Sequence, residues 1–134
     1  MDVAETSIEN VSDTAFWIAH YRAAETERAD ALFRDPFAGL LSGERGKQIA
    51  RGMPGTMMTA WAVAVRTCLI DDYIRFALAQ GVDMVLNLGA GLDTRPYRMD
   101  LPPSLLWVEV DYPAMIDYKQ SRLAGQTHTA NSRG

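Results

Sequence analysis

The chain has 134 residues, 48% hydrophobic and 22% charged, the profile of one ordinary water-soluble domain. Its net charge is -4 and its basic residues are scattered, which argues against nucleic acid or an anionic membrane as the main partner. The single cysteine, Cys68, rules out an intrachain disulfide and suits a reducing cytoplasm, and the two histidines, His20 and His128, lie too far apart for the usual metal-ligand spacings.

Residues 1–11 are polar and read as a flexible N-terminus. The opening MDVAETSIEN is acidic and lacks the apolar stretch of a signal peptide. No window approaches the ~18 apolar residues of a membrane span. Ser12 or Asp13 is placed to cap a helix through TAFWIAHYRAAETERA. On that helix Phe16, Ala19 and Ala23 form one stripe suited to burial, and Trp17, Tyr21 and Ala24 form its neighbour. In FRDPFAGLLSGERG, Asp35-Pro36 reads as a turn or helix start, and Gly39, Gly43 and Gly46 read as breaks.

Met57, Met58, Trp61, Val65, Leu69, Tyr73 and Phe76 then recur at helical spacing. They predict one amphipathic helix from Thr56 to Ala79, ended by Gln80-Gly81, with that stripe in the core. Cys68, inside it, reads as a small buried hydrophobe rather than a nucleophile. Met84–Leu88 is a short apolar run suited to a central parallel strand. Asp93 is placed to cap a short helix with Pro96 in its first turn. LLWVEV, residues 105–110, predicts a second strand, and Tyr112-Pro113 starts a helix through AMIDYKQSRLA. The tail GQTHTANSRG holds no large apolar residue and is expected to add no core element. There is no internal repeat. The organisation expected is a flexible stretch over 1–11, a helical cap with the helix leading into the sheet over 12–80, the first half of an α/β unit over 81–124, and a polar tail over 125–134.

The stretch VLNLGAGLDTRPYR is the one that points to a ligand. Glycine lets a ligand approach the main chain because no Cβ intrudes, and a helix start offers N–H groups. Gly89, Ala90 and Gly91 form such a shelf. Asp111 ends the next predicted strand, and in a doubly wound sheet that end lies beside the first loop. A carboxylate there accepts hydrogen bonds from two ribose hydroxyls, so the pair predicts a nucleoside-bearing ligand. The dinucleotide fingerprint G-x-G-x-x-G is incomplete, with Thr94 at its third position, and no P-loop sequence is present. The plainer alternative is that the glycines only turn the chain and Asp111 caps the next helix.

The runs RTCLIDDYIRFALAQGVDMVLNLGAGLDTRPYRM and WVEVDYPAMIDYKQSRL resemble the leucine carboxyl methyltransferase family, closest to its bacterial branch of S-adenosyl-L-methionine-dependent methyltransferases. SDTAFWIAHYRAAETERADALFRDPFAGLLSGERG is similar to the same branch. The resemblance implies an α/β fold: the N-terminal part of a doubly wound, Rossmann-like class I methyltransferase, with N-terminal helices and only its first two parallel strands. It implies S-adenosyl-L-methionine as cofactor and methyl transfer to a carboxylate or hydroxyl oxygen. It further implies that Gly89, Ala90 and Gly91 hold the methionine part, that Asp111 holds the ribose hydroxyls with Glu109 supporting that strand end, and that Arg66 pairs with the cofactor carboxylate. Asp93, with Thr94 and Arg95, would shape the loop. Tyr112 is carried over with Asp111 as a cofactor-binding position. Tyr21, Arg22 and Asp35 match a segment that folds over the cofactor. For Arg66 the plainer alternative is a surface charge, partnered by Asp71 or free.

Members of that family are much longer, so the expectation is a truncated member or fragment, inactive as it stands for want of the later strands. Partners expected are a small-molecule or carboxylate-bearing methyl acceptor, with no nucleic acid and no membrane, and self-association is open to a chain with bare sheet edges. A non-catalytic interaction module and an NAD-binding fragment remain the competing readings. No residue is assigned as a catalytic base or metal ligand.

Overall fold

The computed structural model describes residues 10–129 and 131–133. Among them are α1 (Val11–Thr26), α2 (Ala38–Gly52), α3 (Thr56–Ala79), β1 (Met84–Leu88), α4 (Arg95–Arg98), β2 (Leu106–Val110), α5 (Pro113–Arg122) and β3 (Asn131–Arg133). The chain divides into two units, Met1–Leu69 and Ile70–Gly134, with the boundary inside α3. The flexible N-terminus expected over residues 1–11 falls, for residues 1–9, outside the described residues. No helix among the described residues is long and apolar enough to cross a membrane.

In the first unit α1 begins two or three residues earlier than expected. The cap is Asn10, whose side-chain oxygen accepts from the Asp13 backbone N–H at 3.0 Å. Asp13 is not free to cap, because Arg45 holds both its carboxylate oxygens at 3.0 and 2.8 Å. α2 runs through all three glycines expected to break the chain, and only Gly43 kinks it, at φ 53°. Gly46 serves close packing instead: a Cβ there would meet the Phe16 carbonyl oxygen at 2.6 Å. Asp35 opens the segment as expected, its Oδ1 accepting from the backbone of Phe37 and Ala38. Tyr21, Ala50 and Val63 form a small core with Trp17, Ile18 and Ala60.

α3 has the expected bounds but not the expected inner face. Met57, Met58, Trp61, Leu69, Tyr73 and Phe76 are exposed, and Val65 is half-buried. The buried positions are Val63, Ala64, Thr67 and Asp71, continued by the partly buried Ile74 and Leu78. Both sets keep helical spacing. The buried one is made of small and polar residues, so the bulkier stripe had the stronger apolar signal. Cys68 is half-buried.

In the second unit β1 and β2 run parallel with Met84 beside Leu106, Leu86 beside Val108 and Leu88 beside Val110. β3 adds a third parallel strand beside β2, giving the order β1-β2-β3. A third strand was not expected from the polar tail. An edge strand needs only backbone N–H and C=O groups, and polar residues suffice if something ties them down. Thr129 does so, its backbone N–H donating to Pro96 O at 2.8 Å and its hydroxyl to Met99 O at 2.7 Å. The core of this unit is Met99, Leu101, Leu105 and Trp107, packed against Ile74, Leu78 and Val85. β1 is an edge strand among the described residues, not the central strand expected, and one of its faces is exposed.

Candidate functional site

The Gly89–Gly91 turn is built as a shelf against the end of β2. Gly89 and Gly91 have φ of 65° and 51°, which residues with a side chain adopt only with strain. The backbone N–H groups of Gly89 and Ala90 both donate to the Val110 carbonyl, at 2.8 and 3.2 Å. The next residue along β2, Asp111, turns its carboxylate back to the shelf. Its Oδ2 accepts from the Gly91 N–H at 2.6 Å, and its Oδ1 accepts from the N–H of Tyr112 at 2.6 Å. Turn and acid therefore face each other as expected. Each carboxylate oxygen has about two acceptor positions, so each keeps one for a ligand. A Cβ built on Gly89 would meet nothing within 4 Å, so space lies open beside the shelf.

Behind the shelf lies a polar brace. Asp93 accepts from Asn87 Nδ2 at 3.0 Å, from the Arg95 backbone N–H at 2.9 Å and from Arg95 Nη1 at 2.7 Å. The Nε of Arg95 donates to Asp71 at 2.7 Å, and Arg98 closes a two-pronged pair on Asp71 at 2.8 and 2.9 Å. Asp71 is 2% exposed, and burying a carboxylate is costly unless it is paired and hydrogen-bonded, as it is here. Burial works against the Arg95 charge, but the carboxylates of Asp93 and Asp71 outweigh it and hold its pKa above the ordinary value.

A second tie joins the two sides of the site. The Lys119 ammonium, 1% exposed, lies 2.7 Å from Glu109 Oε2 and donates to the Asp93 carbonyl at 3.1 Å. Glu109, near the end of β2, is thus tied to α5. Burial raises its pKa above the ordinary value, Asp93 adds to this, and Lys119 pulls the other way.

Other expected positions fall as follows. α4 is a single turn, and its cap position is Thr94, not Asp93. Asp93 sits one residue earlier and still accepts from Arg95 N. The N–H groups at the site come from the turn rather than from a helix dipole, because one turn sums few peptide dipoles. Tyr112 is exposed beside Asp111, and Ala90 is buried. Arg66 belongs to the first unit, is exposed, and has no acidic partner among the described residues. The partner offered for it, Asp71, is held by Arg95 and Arg98. Tyr21 is buried in the first-unit core, and Arg22 and Asp35 form an ion pair at 3.0 Å. Asn87, Asp71, Arg98 and Lys119 carry the brace without having been assigned roles. For Asp71 the sequence offered no signal, because the stripe expected to face inward on α3 was the other one. No group of three metal-ligating side chains occurs among the described residues.

The family described as Leucine carboxyl methyltransferase matches residues 15–133. The chain belongs to that family. Relatives include a protein of Mycobacteroides abscessus, 37% identical over 139 residues, covering 93% of this chain and 46% of the relative. One of Streptomyces coelicolor is 38% identical over 128 residues, covering 88% and 44%. One of Frankia alni is 38% identical over 121 residues, covering 82% and 42%. Each is named "Putative S-adenosyl-L-methionine-dependent methyltransferase". The chain thus spans less than half the length of these relatives. Its helices and parallel strands are the N-terminal part of a Rossmann-like methyltransferase fold.

The residues present fit an adenosyl-bearing cofactor. The carboxylate of Asp111 is held in place with acceptor capacity to spare, and the shelf beside it has open space where a side chain would otherwise stand.

Proposed function

We propose that this chain holds S-adenosyl-L-methionine on its glycine shelf and serves methyl transfer to a carboxylate or hydroxyl oxygen. The observation that carries the reading is the Asp111 carboxylate bound to the Gly91 N–H, which fixes an acceptor at the lip of the shelf. In this reading Asp111 accepts from the ribose hydroxyls, and Gly89, Ala90 and Gly91 lie along the methionine part. Asp93 keeps the turn in shape, and Tyr112 borders the adenosine.

The bound cofactor supplies an electrophilic methyl group on a positively charged sulfur. The protein's part is then alignment and exclusion of water, and alignment alone reaches about 7–11 kcal/mol in well-oriented systems. A carboxylate acceptor is already anionic at neutral pH and needs no base. A hydroxyl acceptor needs one. The relatives' names support the cofactor, and Thr94, buried where the dinucleotide fingerprint has glycine, speaks against NAD.

Calorimetry with S-adenosyl-L-methionine, its demethylated product and NAD tests the reading. The first two are expected to bind and NAD is not. Asp111→Asn removes a charged acceptor worth about 1.5–3 kcal/mol, so affinity falls roughly tenfold to a hundredfold. A circular dichroism melt of the variant shows whether the fold is kept. Unchanged affinity in a folded variant, or binding of NAD alone, overturns the reading.

A further inference from the structure

One ammonium grips both arms of the site. Lys119 stands on α5 and is 1% exposed. Its Nζ lies 2.7 Å from Glu109 Oε2 and donates to the Asp93 carbonyl oxygen at 3.1 Å. Glu109 comes two residues before Asp111, and Asp93 comes two residues after Gly91. Between these arms runs the contact that fixes the ligand-facing carboxylate, from the Gly91 N–H to Asp111 Oδ2 at 2.6 Å. The two grips differ in kind. The Asp93 carbonyl is a neutral acceptor at every pH, whereas Glu109 is a charged acceptor only while it is ionised. Its other oxygen, Oε1, is buried without a well-aligned hydrogen bond, and the nearby Trp107 indole gives it only slight support. The other titratable groups around the pair are Asp93 of the turn, itself held by Arg95, and Tyr97 of α4. From the tail comes His128, close enough to Lys119 to feel its charge, with its ring 4.1 Å from that of Tyr97.

We propose that Lys119 is the positioning residue of this site and that Glu109 is its proton-operated latch. With Glu109 ionised, the ammonium clamps β2 to the turn. With a proton on Oε1 it releases β2, and the alignment of Gly91 with Asp111 slackens. The step is simple: a proton from water adds to Oε1, and the carboxylate becomes a neutral carboxyl. The ion pair is then reduced to an ordinary hydrogen bond, and the buried ammonium keeps only the Asp93 carbonyl as a firm acceptor. Charge-assisted hydrogen bonds are roughly twice as strong as neutral ones, so the grip on β2 loses the larger share. Burial of Glu109 brings the change within reach, because it favours the neutral form and moves proton uptake above the ordinary glutamate range. Lys119 pulls the other way, which leaves the pair poised between its two states. The proposal deepens the cofactor reading by naming the proton as regulator of the same site. Its consequence for affinity rests on that reading, and its consequence for the backbone does not.

The isotopically labelled full chain is titrated from neutral pH into acid without cofactor, and NMR follows the amide signals of Gly89 and Gly91. Both are expected to move in a step centred above the ordinary glutamate range. Glu109→Gln is expected to abolish that step and to hold both amides near the parent's acid-end position at every pH. Any change caused by Asp111 itself persists in this variant and is thereby told apart. His128→Gln is expected to keep the step. Lys119→Met still lets Glu109 titrate, as its carboxyl carbon signal shows, but the amides are expected not to follow. A merely structural lysine would not uncouple the two. Circular dichroism melts show which variants fold, and the nearly isosteric Glu109→Gln decides the matter where Lys119→Met does not. In calorimetry the parent's affinity for S-adenosyl-L-methionine is expected to fall about fivefold or more from the neutral to the acid end of the step, the size of a modest coupling between sites. In Glu109→Gln it is expected to be low at both ends. Amides that stay still in the parent overturn the proposal. So does a step of unchanged midpoint that survives Glu109→Gln or Lys119→Met. A parent that binds no S-adenosyl-L-methionine at either end overturns the cofactor reading alone, because the amide step decides the latch without it.

Discussion

Along β2, Trp107 and Glu109 face one side of the sheet, and Leu106, Val108 and Val110 face the other. The first side is layered over: Trp107 is 1% exposed against Ile74 and Leu78 of α3, and Glu109 is matched by Lys119 of α5. On β1 and β2 the second side carries aliphatic residues only, and nothing among the described residues covers them fully. Where this chain buries charge it also provides the counter-charge. On the face that β1 and β2 leave bare, these two strands place no charge, while the register pairs Arg133 of β3 with Val108 at its border. One strand thus records two neighbouring layers in its alternation, and this unit supplies one of them.

The largest expected consequence is at Trp107. Trp107→Ala removes the biggest fully buried side chain of the covered face. Large aromatic truncations in packed cores cost about 3–5 kcal/mol. Whole domains are stable by only about 5–15 kcal/mol, so the variant stands near the edge of folding. Urea unfolding followed by circular dichroism checks this. A loss below about 1 kcal/mol would mean that the covered face is no better packed than the bare one.

The same contrast explains what was legible in the sequence. β1, α3 and the shelf with Asp111 were readable because strong local signals set them: an apolar run between glycines, a long helical period, and an acid at a strand end. The inward face of α3 was not readable. Its buried residues include Thr67 and Asp71, chosen by partners far along the chain, while its bulky stripe of Met57, Trp61, Tyr73 and Phe76 is exposed. α2 was hidden because Gly39, Gly43 and Gly46 read as breaks, yet Gly46 serves the close approach to Phe16. β3 was hidden because an edge ladder places no demand on side chains. The brace around Asp93 joins α3, α4 and α5, and no local pattern announces a contact between elements so far apart in sequence.

A smaller effect, and one with a sign, comes from Lys119→Met. The variant keeps the buried Glu109 and removes its cation. Burial already raises the Glu109 pKa, and without Lys119 it rises further. A group with a raised native pKa contributes stability below its unfolded value, and that contribution is lost as pH climbs through the native value. The variant is therefore close to the parent at acid pH and falls behind as pH rises towards 8, by about 1–3 kcal/mol for an unmatched buried charged group. Urea midpoints at several pH values check it. Parallel curves for parent and variant would show that Lys119 does not hold the Glu109 charge.

The smallest expected effect decides whether the bare face is bare in solution. Leu86 is 55% exposed, so Leu86→Ala gives up little of the area that folding hides. Exposed substitutions fall within about 0.5 kcal/mol, several times less than the Trp107 loss, although both side chains are large and apolar. The same unfolding experiment, run at two protein concentrations, reads it. A cost for Leu86→Ala approaching that for Trp107→Ala, and growing with concentration, would mean that copies of the chain already cover this face. The contrast between the two sides of the sheet would then hold for the single chain and disappear in the assembly.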